Sequence, residues 1–171
     1  RVFKRLTLHS KIAISSTAIL IITGAILFFI FEYNNPSTIK ELSLLEKIQA
    51  SFFQSITTRT AGFATIPQEN LSTPSALLSL ILMFIGGSPV GTAGGVKTVT
   101  ITTLLLAAIS TIKNKNHVSV FGRRIPKEAI SKSIAVVATS FSIMFISTLL
   151  LSCFTEANVL DIIYETVSAT A

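Results

Sequence analysis

Charged residues are scarce in this chain: they make up 13% of its 171 residues, about half the share of roughly 25% that is usual in soluble domains. Cysteine occurs once, at Cys153 inside an apolar run, so the sequence provides neither a disulfide framework nor a set of cysteine metal ligands. The two histidines, His9 and His117, have no partners at ligand spacing, and no constellation of catalytic side chains appears. These absences argue against a water-soluble domain, a disulfide-stabilised domain and an enzyme.

Two long apolar runs without any charge are present instead. Residues 12–31 form a run of 20 residues and residues 133–154 a run of 22, and about 20 residues of helix cross a hydrocarbon core about 30 Å thick. A secretory signal peptide is a poor alternative for the first run, because its apolar region would measure about 7–15 residues and a cleavage site with small residues would follow it. We therefore predict transmembrane helices at residues 12–31 and 133–154.

A short helical pattern between these runs ends in a polar turn. We predict an extracellular segment at residues 32–73 that contains a helix at about residues 46–57, too short to span a membrane, and a loop at residues 58–63. Non-helical backbone at membrane depth is tolerated only where protein buries it or where it lines a watery cavity, and carbonyl groups in such loops can replace the hydration shell of a cation. The pattern favours a pore helix and a filter loop over an ordinary surface turn.

Arg59 is the exception within this loop, because its charge would repel a cation in the pathway. We expect its side chain to point away from the pathway and to pair with a carbonyl group or an acid behind the loop.

The apolar segment that follows, residues 74–112, is broken in the middle. Thr73 is the expected N-cap of its first half, with Pro74 in the first turn. We predict helix at residues 75–85 and again at residues 96–112, each too short to cross a membrane alone.

The break itself is rich in glycine: five glycines fall within the ten residues 86–95. The order Gly95, Val96, Lys97 departs from a phosphate-binding P-loop, in which the lysine follows the glycine directly. We interpret residues 86–95 as an intramembrane loop that gates a pathway beneath the filter, with a helix kink for close packing as the alternative. Lys97, near membrane depth, is a candidate functional residue, or it extends to the cytoplasmic surface.

Part of the chain is repeated. The sequence FQSITT at residues 53–58 aligns with YETVSA at residues 164–169 at a constant offset of 111 residues, and each copy follows a predicted transmembrane helix. An internal repeat of this kind indicates a structural unit that occurs more than once. We predict that residues 155–171 begin another pore helix and that the chain is a fragment of a longer protein.

The charges are distributed unevenly across the predicted helices. Ten of the 14 basic residues lie in residues 1–11 and 113–132, which the positive-inside rule assigns to the cytoplasm. Residues 113–132 offer one aromatic for base stacking, Phe121, so membrane lipids and a cytoplasmic protein are better candidate partners than nucleic acid. The opposite segments carry seven of the eight acids, an outer mouth that would concentrate cations: Glu32, Glu41, Glu46, Glu69, Glu156, Asp161 and Glu165.

Two motifs carry a resemblance to a known family. The sequence FQSITTRTAGF at residues 53–63, followed by FIGGSPVGTAGGVKT at residues 84–98, resembles the Trk/Ktr/HKT potassium transporter superfamily, most closely its KtrB and TrkH membrane subunits. The resemblance covers nearly the whole chain. It implies an all-α polytopic protein of the cell membrane with four membrane-pore-membrane units around one pore, of which this chain holds the third unit and the start of the fourth.

The resemblance also implies site residues and partners. Potassium would be held by the backbone carbonyls of four filter residues, and further residues would form the gating loop. The subunit would bind no cofactor, would form a homodimer and would dock on a cytosolic ring of nucleotide-binding regulatory subunits like TrkA or KtrA. A sodium-coupled or sodium-permeable transporter of the same superfamily is one rival hypothesis, and a membrane protein that binds a phosphate ligand at the glycine-rich loop is another. The filter residues are Thr60, Ala61, Gly62 and Phe63, and the gating residues are Gly86, Gly87, Ser88, Pro89, Gly91, Thr92, Gly94, Gly95 and Lys97.

Overall fold

A computed structural model describes residues 6–59, 61–88, 95–115 and 117–170 of the chain. Within these ranges it contains six α-helices, one 3-10 helix at Gln68–Asn70 and a hairpin of two short strands. The predicted all-α class is therefore confirmed. The helices are α1 (Leu8–Glu32), α2 (Leu44–Thr57), α3 (Thr73–Phe84), α4 (Thr98–Ile112), α5 (Lys127–Phe154) and α6 (Val159–Thr170), and the strands are β1 (Ser119–Val120) and β2 (Arg123–Arg124).

Two helices, α1 and α5, are long and apolar enough to cross a membrane. They contain 25 and 28 residues, or about 38 Å and 42 Å at about 1.5 Å per residue. Both predicted transmembrane segments lie inside them. Helix α5 begins at Lys127, six residues before the predicted segment 133–154, so the predicted loop 113–132 is shorter than expected. Glu128 lies in the first turn of α5, where an acid is favourable, and pairs with Lys132 at 2.7 Å.

The rest of the predicted basic loop contains the hairpin. Strands β1 and β2 pair in antiparallel register, with Ser119 opposite Arg124. The two residues between the strands, Phe121 and Gly122, both have positive φ angles, 50° and 73°. This conformation fits a two-residue hairpin turn whose twist matches that of the strands.

Helix α2, the predicted pore helix, begins at Leu44, two residues before the expected start at about residue 46. The reason is a capping box: the amide of Glu46 donates to the Ser43 hydroxyl, and the Ser43 amide donates to the Glu46 carboxylate at 2.8 Å. The Ser43 hydroxyl also donates to Glu46 Oε2 at 2.7 Å, and this hydrogen bond, together with the one from the Ser43 amide, lowers the pKa of the Glu46 carboxyl group. The helix ends at Thr57, as the sequence predicts.

Helix α2 packs closely on α1 at Gly24. The Ser55 hydroxyl donates to the Ile21 carbonyl of α1 at 2.9 Å. A Cβ atom on Gly24 would overlap the Ser55 hydroxyl oxygen and would lie 3.1 Å from Leu82 Cδ1 of α3. Glycine is therefore required here because three helices meet without space for a side chain.

We expect Gly24→Ala to destabilise the protein by about 1–3 kcal/mol, the usual range for overpacking in a filled interior. Thermal unfolding in detergent would measure this loss. Ser55→Gly removes both Ser55 atoms that a Cβ on Gly24 would meet, so the double variant should lose less stability than the sum of the two single variants. Strictly additive losses would contradict the close contact.

The N-cap of helix α3 lies one residue earlier than predicted. Thr73 is its first residue and Ser72, not Thr73, is the N-cap, with Pro74 in the first turn. The amide and the hydroxyl of Ser72 donate to Glu32 Oε1, at 2.9 Å and 2.6 Å. The end of α1 thus binds the start of α3, a contact between residues 40 positions apart that the local sequence pattern does not encode.

Helix α6 corresponds to α2 in the internal repeat. It follows the long helix α5, as α2 follows α1, and it packs against α3 and α5. Ser51 and Ser55 are buried in α2, and the residues 111 positions later, Ile162 and Thr166, are buried in α6. The two short helices therefore share these two buried positions, although Gln54 is buried and its equivalent, Glu165, is exposed.

Candidate functional site

The loop after α2 closes back on the last turn of that helix. The Ala61 amide donates to the Thr57 carbonyl at 3.1 Å. The Thr57 hydroxyl accepts from the Phe63 amide at 3.0 Å and also hydrogen bonds to the Phe63 carbonyl. Gly62, between these contacts, has a φ of +76°, which glycine adopts without strain. One threonine side chain thus holds the far end of the loop.

Three of the four predicted filter residues lie at the surface of this chain. Ala61, Gly62 and Phe63 are exposed, and Phe63 retains 72% of its accessible surface. Thr60 lies outside the described residues. The carboxyl end of α2, whose dipole is negative, adjoins the loop. One such loop offers peptide oxygens on one side of an ion, so several loops must converge to surround it.

Arg59 lies beneath this loop and is buried, with 8% of its surface exposed. Its Nη2 donates to the Thr98 hydroxyl at 2.7 Å and to the Gly86 carbonyl at 3.3 Å. The predicted pairing with a carbonyl group is therefore confirmed. The Thr98 hydroxyl in turn donates to the Gly86 carbonyl at 2.8 Å.

These contacts join the loop after α2 to both ends of the glycine-rich segment. Gly86 lies just after the end of α3, and Thr98 is the first residue of α4. Within the described ranges no carboxylate lies at salt-bridge distance from Arg59, and its Nε has no hydrogen-bond partner. The charge is therefore balanced by carbonyl and hydroxyl dipoles near the negative ends of α2 and α3.

The two ends of the glycine-rich segment also pair with each other. Ile85 and Val96 form a parallel bridge, and the Thr98 amide donates to the Gly87 carbonyl at 3.3 Å. This extended pairing explains why α4 begins at Thr98 and not at Val96, as the sequence predicts. Gly95 has a φ of +65°, and a Cβ there would lie 3.1 Å from the Met83 carbonyl oxygen.

The remaining predicted gating residues are only partly described. The Ser88 hydroxyl hydrogen bonds to Thr17 of α1 at 2.8 Å, and Lys97 is the half-buried N-cap of α4. Pro89, Gly91, Thr92 and Gly94 lie outside the described residues.

Glu32 does not contribute to the predicted acidic mouth, because its carboxylate is buried with 1% exposure. One of its oxygens accepts from Ser72, the N-cap of α3, and the other accepts from Asn35 and Thr38, each at 2.6 Å. It is therefore a structural residue that joins the chain after α1 to the start of α3. Sequence reasoning missed this role because a carboxylate at a helix end looks the same whether it binds water or protein.

Three other acids of the predicted mouth line the same cavity. Glu69, Asp161 and Glu165 line a cavity of about 480 Å³ between the segment with the 3-10 helix, α3 and α6. A smaller cavity of about 180 Å³ adjoins the loop at Gly62 and Phe63. Within the parts of the chain that the structure describes, no group of three His, Cys, Asp or Glu residues is arranged to hold a metal ion.

Comparison with known proteins identifies the family. A family described as "TrkH: Cation transport protein" matches residues 3–171, which is nearly the whole chain. The chain belongs to the TrkH family. The resemblance stated from the two sequence motifs is thus confirmed, and the family is one of transporters.

Three individual relatives of this TrkH-family chain are named as uptake proteins. It is 36% identical over 169 residues to the Ktr system potassium uptake protein B of Bacillus subtilis and 32% identical over 169 residues to the protein of the same name from Vibrio alginolyticus. It is also 38% identical over 149 residues to the potassium/sodium uptake protein NtpJ of Enterococcus hirae. These matches cover 99%, 99% and 87% of this chain but 38%, 37% and 33% of the relatives. The chain thus spans about a third of their length.

Proposed function

We propose that this chain forms part of the pore of a potassium uptake transporter. The observation that carries the proposal is the loop at residues 58–63: it follows a short helix, is exposed at Ala61–Phe63 and contains a glycine with positive φ that is held by Thr57. Potassium would be coordinated by the backbone carbonyls of residues 60–63, together with equivalent loops from other units. The chain would supply the third of four membrane-pore-membrane units and the start of the fourth.

The orientation follows from the charges. Residues 1–11 and 113–132 would face the cytoplasm and residues 32–73 the outside of the cell membrane, which makes the protein multi-pass. The acids Glu69, Asp161 and Glu165 would then attract cations to the outer cavity that they line. A cytosolic nucleotide-binding regulatory subunit and a second copy of the transporter are the proposed protein partners.

Sodium is the second candidate ion. One relative is named a potassium/sodium uptake protein, so sodium transport or sodium coupling is an alternative within the same site. The discriminating measurement is uptake of labelled potassium and sodium by the full-length transporter in a bacterial strain that lacks potassium uptake of its own. We expect growth at limiting potassium, and potassium uptake that excess sodium inhibits only weakly. A transporter that reaches the membrane but moves neither ion would refute the proposed function.

We further propose that residues 86–95 close the pathway beneath the filter. A deletion of residues 88–94 removes most of this loop but keeps Gly86, the carbonyl partner of Arg59, and the bridge between Ile85 and Val96. The purified transporter without cytosolic partners should then conduct potassium several-fold faster than the wild type in lipid vesicles. A flux equal to that of the wild type, from a variant that is folded in detergent, would rule out a gate at this loop.

A further inference from the structure

The Gln68 side chain lies between the two repeated units. Gln68 belongs to the 3-10 helix between α2 and α3, and its Oε1 accepts from Gln54 Nε2 at 2.8 Å and from the Tyr164 hydroxyl at 2.9 Å. Gln54 is in α2 and Tyr164 is in α6, which the repeat identifies as the equivalent helix of the next unit. One amide oxygen thus connects the two short helices.

The amide nitrogen of Gln68, like its oxygen, makes two hydrogen bonds. It donates to the Ile66 carbonyl at 2.8 Å and to Gln54 Oε1 at 3.3 Å. A glutamine side chain has two donor hydrogens and an oxygen with two lone pairs, and here all four are occupied. Such a side chain is fixed in one position, because any rotation would break at least two hydrogen bonds.

Burial makes this network costly to break. Gln54 has no exposed surface at all, while Gln68 and Tyr164 are half-buried. A buried amide without a partner carries a desolvation penalty larger than the net value of an ordinary hydrogen bond. The main-chain carbonyl of Gln54 accepts from the amide and the hydroxyl of Thr58, at 3.2 Å and 2.9 Å, so the residue that carries the buried amide also binds the first residue of the loop.

The network also forms a wall beside the filter loop. Gln68 and Tyr164 line the cavity of about 180 Å³ together with Gly62 and Phe63, and they also line the outer cavity of about 480 Å³. They therefore separate the space next to the loop from the outer cavity. The repeat alone does not dictate this contact, because the residue equivalent to Tyr164 is Phe53, which has no hydroxyl group.

We propose that Gln54, Gln68 and Tyr164 are positioning residues for ion selectivity: they set the distance between the filter loop of one unit and the pore helix of the next. This inference rests on the proposed function, since it concerns the same pathway. Discrimination between potassium and sodium depends on the number and arrangement of the carbonyl groups around the ion. A network that holds one loop against the neighbouring unit limits how far those carbonyls can approach a smaller ion.

The test is Tyr164→Phe in the full-length transporter, which removes one hydroxyl and leaves the ring in place. The Tyr164 hydroxyl is also within reach of Ser79 in α3, so Gln68→Met serves as a second variant that breaks the network from its centre. We expect either change to lower the ratio of potassium to sodium uptake about fivefold, which is what a hydrogen bond of ordinary strength is worth as an equilibrium ratio. Tyr33→Phe is the matched control, because Tyr33 is the other tyrosine of the chain and lies at the end of α1.

The double variant Tyr164→Phe with Gln68→Met should show the same ratio as Gln68→Met alone, because both changes break one network. A network that only supports the fold would lower the amount of transporter and its maximal uptake while the ion ratio stayed at the value of Tyr33→Phe. That outcome would overturn the inference and leave the proposed function intact. A wild-type transporter that takes up potassium no better than sodium would instead refute potassium selectivity and this inference with it.

Discussion

Replacement of Arg59 by methionine is expected to reduce potassium uptake to less than about a tenth and to destabilise the transporter by about 3 kcal/mol. The variant loses the two hydrogen bonds that the charged Arg59 side chain donates, and each contributes about 1.5 kcal/mol to stability. Methionine keeps an unbranched side chain of similar length but provides no donor for Gly86 or Thr98. The loop after α2 would then lose its contact with both ends of the glycine-rich segment.

Arg59→Lys separates charge from geometry. A lysine retains the positive charge and three N–H donors, but its Nζ is one bond closer to Cα than the Nη2 of arginine, so it falls short of the Gly86 carbonyl and the Thr98 hydroxyl. We expect most of the loss seen with methionine to remain. Recovery of full uptake in Arg59→Lys would mean that the charge alone matters and that the hydrogen bonds to Gly86 and Thr98 do not.

Arg124→Met is the matched control, since it removes the same charge from an exposed arginine in the hairpin. Surface substitutions of this kind usually change stability by less than about 0.5 kcal/mol. Thermal unfolding in detergent and uptake of labelled potassium would be compared for the three variants at equal protein amounts. Equal behaviour of Arg59→Met and Arg124→Met would contradict the role assigned to Arg59.

The elements that the sequence predicts well are those set by local composition. The two long apolar helices follow from uncharged runs, and the carboxyl end of α2 at Thr57 follows from the change to a polar turn. The carbonyl partner of Arg59 was also predictable, because a charge at membrane depth must find a polar group. In each case a short stretch of chain and one physical requirement suffice.

The elements that the sequence predicts less well depend on contacts between residues that are distant along the chain. Ser72 replaces Thr73 as the N-cap because Glu32, 40 residues earlier, binds it. Helix α4 starts two residues late because the chain before Thr98 pairs with the chain after α3. The network of Gln54, Gln68 and Tyr164 joins residues up to 96 positions apart. Of these three residues, only Gln54 and Tyr164 were marked by a sequence pattern, because both belong to the internal repeat.

The second large effect is expected at Gly62. Its φ of +76° is unfavourable for any residue with a Cβ, and nothing lies within 4 Å of where that atom would be. Gly62→Ala therefore meets no clash but carries a backbone penalty of about 1–2 kcal/mol. The loop can relieve that penalty by rotating the peptide groups around residue 62, which would turn the proposed coordinating carbonyls away from the ion.

Gly122 provides a control with nearly identical backbone properties. Its φ is +73°, and here too nothing lies within 4 Å of the position that a Cβ atom would take, but it belongs to the hairpin turn between β1 and β2. Gly122→Ala should therefore destabilise the protein by a similar amount while leaving the ion pathway untouched. An effect on ion uptake that Gly62→Ala shows and Gly122→Ala does not would therefore come from the loop and not from backbone strain in general.

The most direct test of a cation filter at residues 58–63 is the ratio of potassium to sodium uptake by the purified full-length transporter in lipid vesicles, measured for Gly62→Ala and Gly122→Ala. A filter at this loop predicts that Gly62→Ala lowers the ratio about tenfold or more, the equivalent of about 1.4 kcal/mol of lost discrimination, while Gly122→Ala keeps the wild-type ratio. A wild-type ratio in folded Gly62→Ala would contradict the assignment of the filter.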